Sequence, residues 1–372
     1  MHIELDRTGT VGVFEKLLKG LSGRADVNGV LVLACDANGF TSENIDPILQ
    51  SCSVPVVGGV FPAILHIQEK IERGTILVGL SETPSVILFK GMSDSSADYN
   101  RLLERELSEI DVTDTIITLV DGLASRISSF MNAMFINLGL EKNIIGGGAG
   151  SLSLDKKPNL LSNEGMLEDA AVLIFIKSRS SISISHGWTP IKGPFKVTES
   201  DRNVIKSLDW MPAFNIYREV IRSHSGQYLT KDNFPTLSMS YPFGIARICC
   251  EHIVRDPVKM DEDGNLICVG EVREGSFIDI LHGSSDSLIE ASRSISIIPG
   301  TISMTSNSMA LMVDCISRAL FMEDKFEDEL RAIMLPDVPL VGMLSFGEIA
   351  TKGNESLEFH NKTTVLSILE EL

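Results

Sequence analysis

Polar side chains whose chemistry would combine occur late in the chain. Arg318 directly follows an apolar run of strand length, Glu348 follows a glycine, and His360 and Asn361 stand side by side. A guanidinium holds a carboxylate through two parallel hydrogen bonds, so Arg318 is expected to face either a ligand carboxylate or Glu348. A carboxylate, an imidazole and an amide also suit acid–base catalysis. Because the chain contains no G-x-S-x-G, no activated-cysteine signature and no H-E-x-x-H, a polar network that braces the last strands is the preferred interpretation.

A second candidate is the stretch 143–151, where a β-branched run breaks into Gly146, Gly147, Gly148 and Gly150 before Ser151. Glycine allows a close backbone approach, so such a strand end indicates either a tight crossing or a ligand cradle. No Lys-Ser/Thr pair follows, and Ser151 stands where the last glycine of G-x-G-x-x-G would be, which argues against a nucleotide site. We predict that Gly147 and Gly148 let the backbone pass close to the loop carrying Ser151, or to a ligand near a domain junction.

A histidine at the end of an alternating strand is the third candidate. His186 shares its loop with Trp188. A single histidine is more often structural, and the functional alternative is a proximal haem ligand or a donor that anchors another ligand. As an axial haem ligand His186 is our first choice, ahead of His224, His252 and His282.

Length and charge limit the possible functions. With 372 residues the chain is too long for one ordinary domain of about 100–150 residues, so two domains are expected. A net charge of −18 repels phosphate backbones and anionic lipids, which makes nucleic acid and membrane surfaces poor partners. No basic segment with a following apolar run opens the chain, and no stretch approaches the about 20 apolar residues of a membrane span. We therefore expect a cytoplasmic protein without membrane insertion.

Cysteine spacing bears on redox state and on cofactors. The six cysteines show no C-x-x-C spacing, and most lie in apolar runs of strand type. A free cysteine in such a run behaves as a small hydrophobic residue. The prediction is reduced thiols, with no disulfide, no zinc site and no c-type haem.

Buried-type strands recur in an order that predicts an internal repeat. In each unit an apolar strand is followed by a helix and by a second strand that ends on glycine. The three successive elements are predicted at 29–35, 42–49 and 54–60, again at 115–121, 125–138 and 143–148, and again at 310–315, 323–334 and 338–342. Gly58, Gly146 and Gly342 are expected at equivalent strand ends, and a cleft between the domains would be a natural pocket.

The remaining segments set the fold class. An amphipathic helix is predicted over 9–23, and residues 187–310 are rich in short strands and turns, including an acidic hairpin turn at 261–265. A helix over 212–222 puts the domain boundary at Asp209, which gives domains 1–209 and 210–372. No Pro-, Gly- or Ser-rich linker separates them, so close packing is expected. The fold class is α/β to α+β, with two domains of mixed β-sheets, packed helices and internal strand-helix-strand repeats.

An ordered set of short motifs resembles the FIST family, in which a FIST N domain precedes a FIST C domain. The resemblance covers nearly the whole chain, from about Val30 to Leu369. Its motifs are the glycine run 146–150, Gly187-Trp188 with Pro190, Val197-Thr198, Pro212-Ala213 with Tyr217, 241–245, 315–318, Gly342 with 347–349, and 359–363. The family usually has Cys-x-Gly-Arg where this chain has Ser317, so a tight glycine is not needed there.

The resemblance implies a sensory input module of bacterial signalling whose ligands are small molecules such as amino acids. One stand-alone bacterial subgroup binds haem and reports nitric oxide to a partner histidine kinase. This chain resembles that subgroup because no kinase, receiver or cyclase segment follows within its 372 residues. We therefore expect a ligand-sensing protein without catalysis that acts through a partner.

The resemblance and the residue patterns together nominate a set of site residues. The expected ligand-binding residues are Gly58, Gly59, Gly147, Gly148, Ser151, Arg318, Glu348, His360 and Asn361, with His186 for a haem iron. Two alternatives stay open. One is an enzyme that acts on a small carboxylate substrate through Glu348, His360 and Arg318, and the other is an interaction scaffold.

Overall fold

Three copies of one structural unit follow each other along the chain. The computed structural model describes residues 1–139, 141–247, 251–295, 304–333, 335, 337–351 and 357–372. Each unit runs as an outer strand, a helix, an inner strand, helical structure, a second inner strand, a two-strand hairpin and a return strand. The first unit consists of β1 (His2–Asp6), α1 (Val11–Ser22), β2 (Gly29–Cys35), α2 (Ser42–Gln50), β3 (Val56–Phe61), β4 (Ala63–His66), β5 (Glu69–Ile71) and β6 (Thr75–Leu80).

The second unit has the same order of elements, and the third has it with an insertion. The second consists of β7 (Ser85–Lys90), α3 (Tyr99–Leu107), β8 (Thr115–Asp121), α4 (Ile127–Leu138), β9 (Asn143–Ala149), β10 (Leu160–Ser162), β11 (Gly165–Leu167) and β12 (Ala170–Ile176). The third begins with β13 (Ser180–Ser185). The insertion consists of β14 (Thr189–Asp201), β15 (Val204–Leu208), β16 (Met211–Pro212), α5 (Ala213–Ser225), α6 (Phe234–Ser238), β17 (Phe243–Ile245), β18 (Ile253–Met260), β19 (Leu266–Val269) and β20 (Phe277–His282).

After the insertion the third unit resumes. It continues with α7 (Ser285–Ile295), β21 (Met309–Cys315), α8 (Ile316–Met322), α9 (Phe326–Ala332), β22 (Leu340–Ser345), β23 (Glu348–Thr351), β24 (Leu357–His360) and β25 (Thr364–Leu369). The helix predicted over 323–334 differs from the observed helices. Helical structure starts directly after β21, because residues 316–322 bury an apolar face, and it is interrupted at Glu323, whose φ is +50°. The predicted end, Met334, lies outside the described residues.

The predicted repeat is confirmed by the pairing of the inner strands. In each unit the two inner strands are parallel, and a glycine of the second faces the middle of the first. A β-carbon on that glycine would lie 1.9, 1.7 or 2.3 Å from the carbonyl oxygen of the facing residue, in units one, two and three. The glycine and the residue that it faces are Gly58 and Val32, Gly146 and Thr118, and Gly342 and Met312.

The units exchange their hairpins in a cycle. The hairpin β4–β5 of the first unit pairs with β22 of the third. The hairpin β23–β24 of the third unit pairs with β9 of the second, and β10–β11 of the second pairs with β3 of the first. The result is three six-stranded mixed sheets, each completed by a neighbouring unit. The close packing of the two halves that the missing linker predicted is therefore confirmed.

The three sheets enclose one common core. Alternate side chains of the three central strands meet there, with Leu33 of β2, Leu119 of β8 and Val313 of β21 in the same cluster. The other face of each sheet is covered by helices of its own unit, for example by Phe14 of α1 and Phe130 of α4. Both faces are buried, which explains why these strands are continuous apolar runs without alternation.

The insertion forms a small barrel of its own. Its antiparallel strands pair in the order β14, β20, β17, β18, β19, β15, and β15 pairs again with β14, which closes the ring. Val197, Tyr217 and Phe243 lie in its core. The acidic hairpin turn predicted at 261–265 is present between β18 and β19. The predicted boundary at Asp209 falls inside this barrel, between β15 and β16, and as a division of the chain into domains it stays a prediction.

Candidate functional site

Arg318 is the centre of a buried ionic cluster. It is fully buried in α8, and its Nε lies 3.1 Å from Oδ1 of Asp314. Its Nη2 pairs with Glu329, and its Nη1 donates to the carbonyl oxygen of His186 over 2.6 Å. The carboxylates at this guanidinium are thus those of Asp314 and Glu329, whereas Glu348 or a ligand had been expected. These ion pairs and this hydrogen bond join α8, α9 and the residues just before the insertion.

The predicted carboxylate and imidazole are neighbours. Glu348 and His360 face each other across β23 and β24. Glu348 is fully buried, and its oxygens accept hydrogen bonds from Oγ of Ser345 (3.1 Å) and from the backbone nitrogen of Thr363 (3.3 Å). Burial first, and then the nearby carboxylate of Asp314, raise the pKa of Glu348 well above its usual range. Burial thus favours the protonated form of Glu348.

Asn361 belongs to the same buried segment. Its Nδ2 donates to the carbonyl oxygen of His360 over 2.9 Å. The pKa of Asp314 is also raised well above its usual range, by burial and then by Glu329, while the positive charge of Arg318 opposes that shift. The structure thus brings the last three predicted polar residues and Arg318 into one region, where their nearest partners are protein groups.

His186 is held within the protein. Its Nδ1 accepts a hydrogen bond from the backbone nitrogen of Trp188 (3.0 Å), and its Nε2 lies 3.8 Å from Oε1 of Glu251. The cavity beside it, shared with His252 and His360, measures about 20 Å³. That volume holds about one water molecule, whereas ligand sites measure about 300–1,000 Å³. The residues around His186, in this arrangement, do not fit a haem.

The histidines ranked behind His186 are engaged as well. Nδ1 of His224 lies 3.0 Å from the hydroxyl of Tyr241, and the rings of His224 and His282 are 4.6 Å apart. Nε2 of His252 lies 2.6 Å from Oδ2 of Asp279. Among the described residues, no group of three or more His, Cys, Asp or Glu side chains is placed to hold a metal ion. Cys35, Cys52, Cys268 and Cys315 are free thiols, and Cys249 and Cys250 lie outside the described residues.

The glycines of β9 allow another backbone segment to pass close to this strand, but that segment is not the predicted one. A β-carbon at Gly147 would lie 2.8 Å from Cβ of Ser345, and one at Gly148 would lie 2.5 Å from the carbonyl oxygen of Phe346. The backbone of Gly148 exchanges hydrogen bonds with Phe346 and Gly347. The close neighbour is therefore the turn 345–347, and the loop carrying Ser151 is not, because the third unit inserts its hairpin beside β9.

The other predicted glycine strand lies in the first unit. A β-carbon at Gly58 would meet the carbonyl oxygen of Val32 at 1.9 Å, and one at Gly59 would meet the ring of Phe61 at 2.9 Å. The Oγ of Ser151 donates to Oδ2 of Asp36 over 2.6 Å. Gly58 and Gly59 thus serve strand packing, while Ser151 bonds a carboxylate at the edge of a separate cavity.

A cleft large enough for a small molecule runs between the ring of units and the barrel. Its walls are α4 of the second unit, β24 of the third and strands of the insertion. One lobe measures about 350 Å³ and the next about 340 Å³, and both are lined by Ser128, Glu271 and Phe359. These volumes are at the lower end of the range for small-molecule sites. This cleft is therefore a candidate for the pocket that was expected between the domains.

Arg255 of β18 is a buried charged group on the wall of this cleft. It is only 7% exposed, its Nε donates to the carbonyl oxygen of Glu271 (2.9 Å), and its Nη1 donates to those of Val254 (3.0 Å) and Phe359 (2.9 Å). Within the described part of the chain no carboxylate lies within 4 Å of this guanidinium, and Nη2 has no acceptor. Burial lowers the pKa of Arg255, and the negative charge of Glu358 opposes that effect.

Sequence reasoning missed Arg255 and the glycine beside it. Gly270 has a φ of +82°, and a β-carbon there would lie 3.1 Å from Nε of Arg255, so the guanidinium occupies space that only glycine leaves. The available signal was Arg255 within the predicted strand 253–258, directly after Ile253-Val254 and before Asp256. That signal is weak, because a sequence alone does not show whether such an arginine has a carboxylate partner.

The fold and the cleft define a two-domain α+β protein with mixed sheets and a charged cavity between its parts. The chain belongs to the FIST family. The model of the FIST N domain matches residues 28–211, and that of the FIST C domain matches residues 213–351. FIST domains are sensory domains of signal transduction. No curated protein matches the chain.

The helices also bear on membrane association. Of the helices in the described residues, none is long and apolar enough to cross a membrane.

Proposed function

We propose that this protein is a non-catalytic sensor that binds a small carboxylate-bearing molecule in the cleft between α4 and the barrel. The observation that carries the proposal is Arg255, a cation 7% exposed on the wall of a cleft of about 350 Å³, with no carboxylate partner among the described residues. A buried charge without an ion partner is costly, and a ligand carboxylate offsets that cost. Bidentate binding at a guanidinium would also orient the ligand.

The other charges of the cleft favour a zwitterion over a simple anion. The carboxylates of Glu271 and Glu358 line the lobe that contains Arg255, and Arg273 lies on the same wall. A ligand with a carboxylate on Arg255 and an ammonium near Glu271 would satisfy both signs. An amino acid has this chemistry, in agreement with the ligand class that the family resemblance implies.

Changing Arg255 to glutamine should weaken amino-acid binding at least about tenfold, because a charge-assisted hydrogen bond contributes about 1.5–3 kcal/mol. Isothermal titration calorimetry with a set of amino acids measures the loss. Arg222→Gln is the matched control, since Arg222 is an exposed arginine of α5 paired with Glu219. A folded Arg255→Gln variant that binds amino acids as tightly as the unmodified protein would contradict the proposal.

The haem version of the sensor, with nitric oxide as signal and His186 as axial ligand, is a separate hypothesis. It requires the cavity of about 20 Å³ beside His186 to open. An absorption spectrum after haem addition tests it. A Soret band that His186→Ala removes would support the hypothesis, and the absence of a band would reject it without touching the proposal for Arg255.

We propose that the signal passes to a partner protein such as a histidine kinase, which is supported by the association of FIST domains with signal transduction. Absence of catalysis is part of the same proposal. Its support is the position of Glu348, which is fully buried and accepts hydrogen bonds from Ser345 and Thr363. Arg318 likewise forms ion pairs with Asp314 and Glu329. An enzyme using Glu348, His360 and Arg318 would need this cluster to open to a substrate.

A further inference from the structure

We propose a second ligand site, at the junction of the first and third units, for a small apolar molecule that carries one cationic amine. A cavity of about 280 Å³ lies there, separate from the cleft at Arg255. Its polar lining residues are Asp36, Lys70 and Glu72, and the rest of its walls is apolar. The inference does not depend on the function proposed for the first cleft.

The cavity occupies a favourable position in the fold. Asp36 follows β2, Ala63 follows the end of β3, and Ile316 follows β21, and all three line it. It therefore lies outside the carboxyl ends of parallel strands, where open α/β sheets bind their ligands. The cleft at Arg255 has the related position in the second unit, since Gly122 and its neighbours follow β8.

The walls specify an apolar ligand body. Leu344 and Ala319 contribute buried surface, while Leu152 and Leu320 line the cavity with 53% and 49% of their surface exposed. Two half-exposed leucines at one cavity leave apolar area in water that a ligand would cover. An alkyl or aryl group of a few carbon atoms would fit the volume.

The charges specify an amine. Asp36 and Glu72 supply two carboxylates and Lys70 one ammonium. Lys70 pairs with Glu72 at 2.9 Å, and Lys157 of the neighbouring loop pairs with Asp36, so a cationic head would bind Asp36 in place of Lys157. An anionic head in that place would leave Asp36 without a cation.

Asp36 also binds the loop 151–158, which we call the strap. Residues 151–158 have no regular secondary structure, and Ser151 and Lys157 both bond Asp36, at 2.6 and 2.5 Å. Lys157 is 43% exposed on its side chain, and partly exposed ion pairs contribute little stability. A ligand ammonium on Asp36 would displace Lys157 and loosen the strap, so binding and strap release are coupled.

The test uses the full chain with hexylamine, hexan-1-ol and hexanoate as probes. Calorimetry should show hexylamine binding at least about tenfold more tightly than hexan-1-ol, with hexanoate weakest. Trypsin should cut after Lys156 several-fold faster when hexylamine is bound, while the bond after Lys157 resists trypsin because Pro158 follows it. Asp36→Asn should remove the preference for the amine and make the strap equally sensitive with and without hexylamine.

Two further variants make the result unambiguous. Asp232→Asn, an exposed carboxylate of the barrel insertion, is the matched control and should leave both readouts unchanged. Leu320→Ser changes a wall residue with 49% of its surface exposed and should weaken the binding of hexylamine and of hexan-1-ol alike. Equal binding of the amine and the alcohol, or hexylamine binding that neither Asp36→Asn nor Leu320→Ser weakens, would overturn the proposal.

Discussion

Replacing Gly146 by alanine should destabilise the protein by at least about 3 kcal/mol, one of the largest effects expected for a single methyl group. The added β-carbon would lie 1.7 Å from the carbonyl oxygen of Thr118, on the backbone of the paired strand. No rotamer change relieves a contact with backbone, so β8 and β9 would have to separate. Urea unfolding followed by circular dichroism measures the change.

A matched glycine makes this test specific. Gly12 lies in α1 and its β-carbon would meet nothing within 4 Å, so Gly12→Ala should stabilise the protein by about 0.5–1 kcal/mol through helix propensity. Gly58→Ala and Gly342→Ala should behave like Gly146→Ala, because the repeat gives them the same environment. Equal unfolding midpoints for Gly146→Ala and the unmodified protein would show that the inner strands can move apart at little cost.

Replacing Arg318 by methionine should cost about 3–5 kcal/mol. The change leaves Asp314 and Glu329 buried without their cation and removes the hydrogen bond to the carbonyl oxygen of His186. Arg318→Lys should recover only part of the loss, because an ammonium cannot reproduce the planar fork of the guanidinium. Unfolding in urea and thermal denaturation both report the difference.

Arg331→Met is the matched control for the same substitution on the surface. Arg331 pairs with Glu327 and Asp328 on α9, with about half of its side chain exposed, so its loss should cost about 0–1 kcal/mol. If Arg318→Met lowers the free energy of unfolding no more than Arg331→Met does, the cluster around Arg318 does not stabilise the fold. A ligand role for Arg318 would then deserve renewed consideration.

Local patterns in the sequence were sufficient for the inner strands, for several helices and for the repeat. The continuous apolar run 29–35 and the β-branched run 115–121 predict strands buried on both faces, and both are strands with every residue buried. The glycine at each strand end predicts a close approach, and Gly146 makes one. These features depend on neighbouring residues in the chain, which is why periodicity and composition report them.

Local sequence patterns could not predict which groups the charged side chains contact. Arg318 was expected to face Glu348 or a ligand, and it pairs with Asp314 and Glu329. Arg255 was overlooked, although it is a buried cation on the wall of a cleft with no carboxylate partner among the described residues. Ion pairing depends on distance and burial in space, and a sequence gives neither quantity.

The sequence by itself determined the inner strands of the three units, several of the helices, the threefold repeat and the family. The tertiary structure alone decided that each hairpin completes the sheet of another unit, and that residues 189–282 close into a barrel over α4. A strand edge offers the same backbone hydrogen bonds to any partner, so local pattern does not say which hairpin pairs with which sheet. That choice follows from the shared core of the three sheets, and it also creates the cleft at Arg255 and the cavity at Asp36.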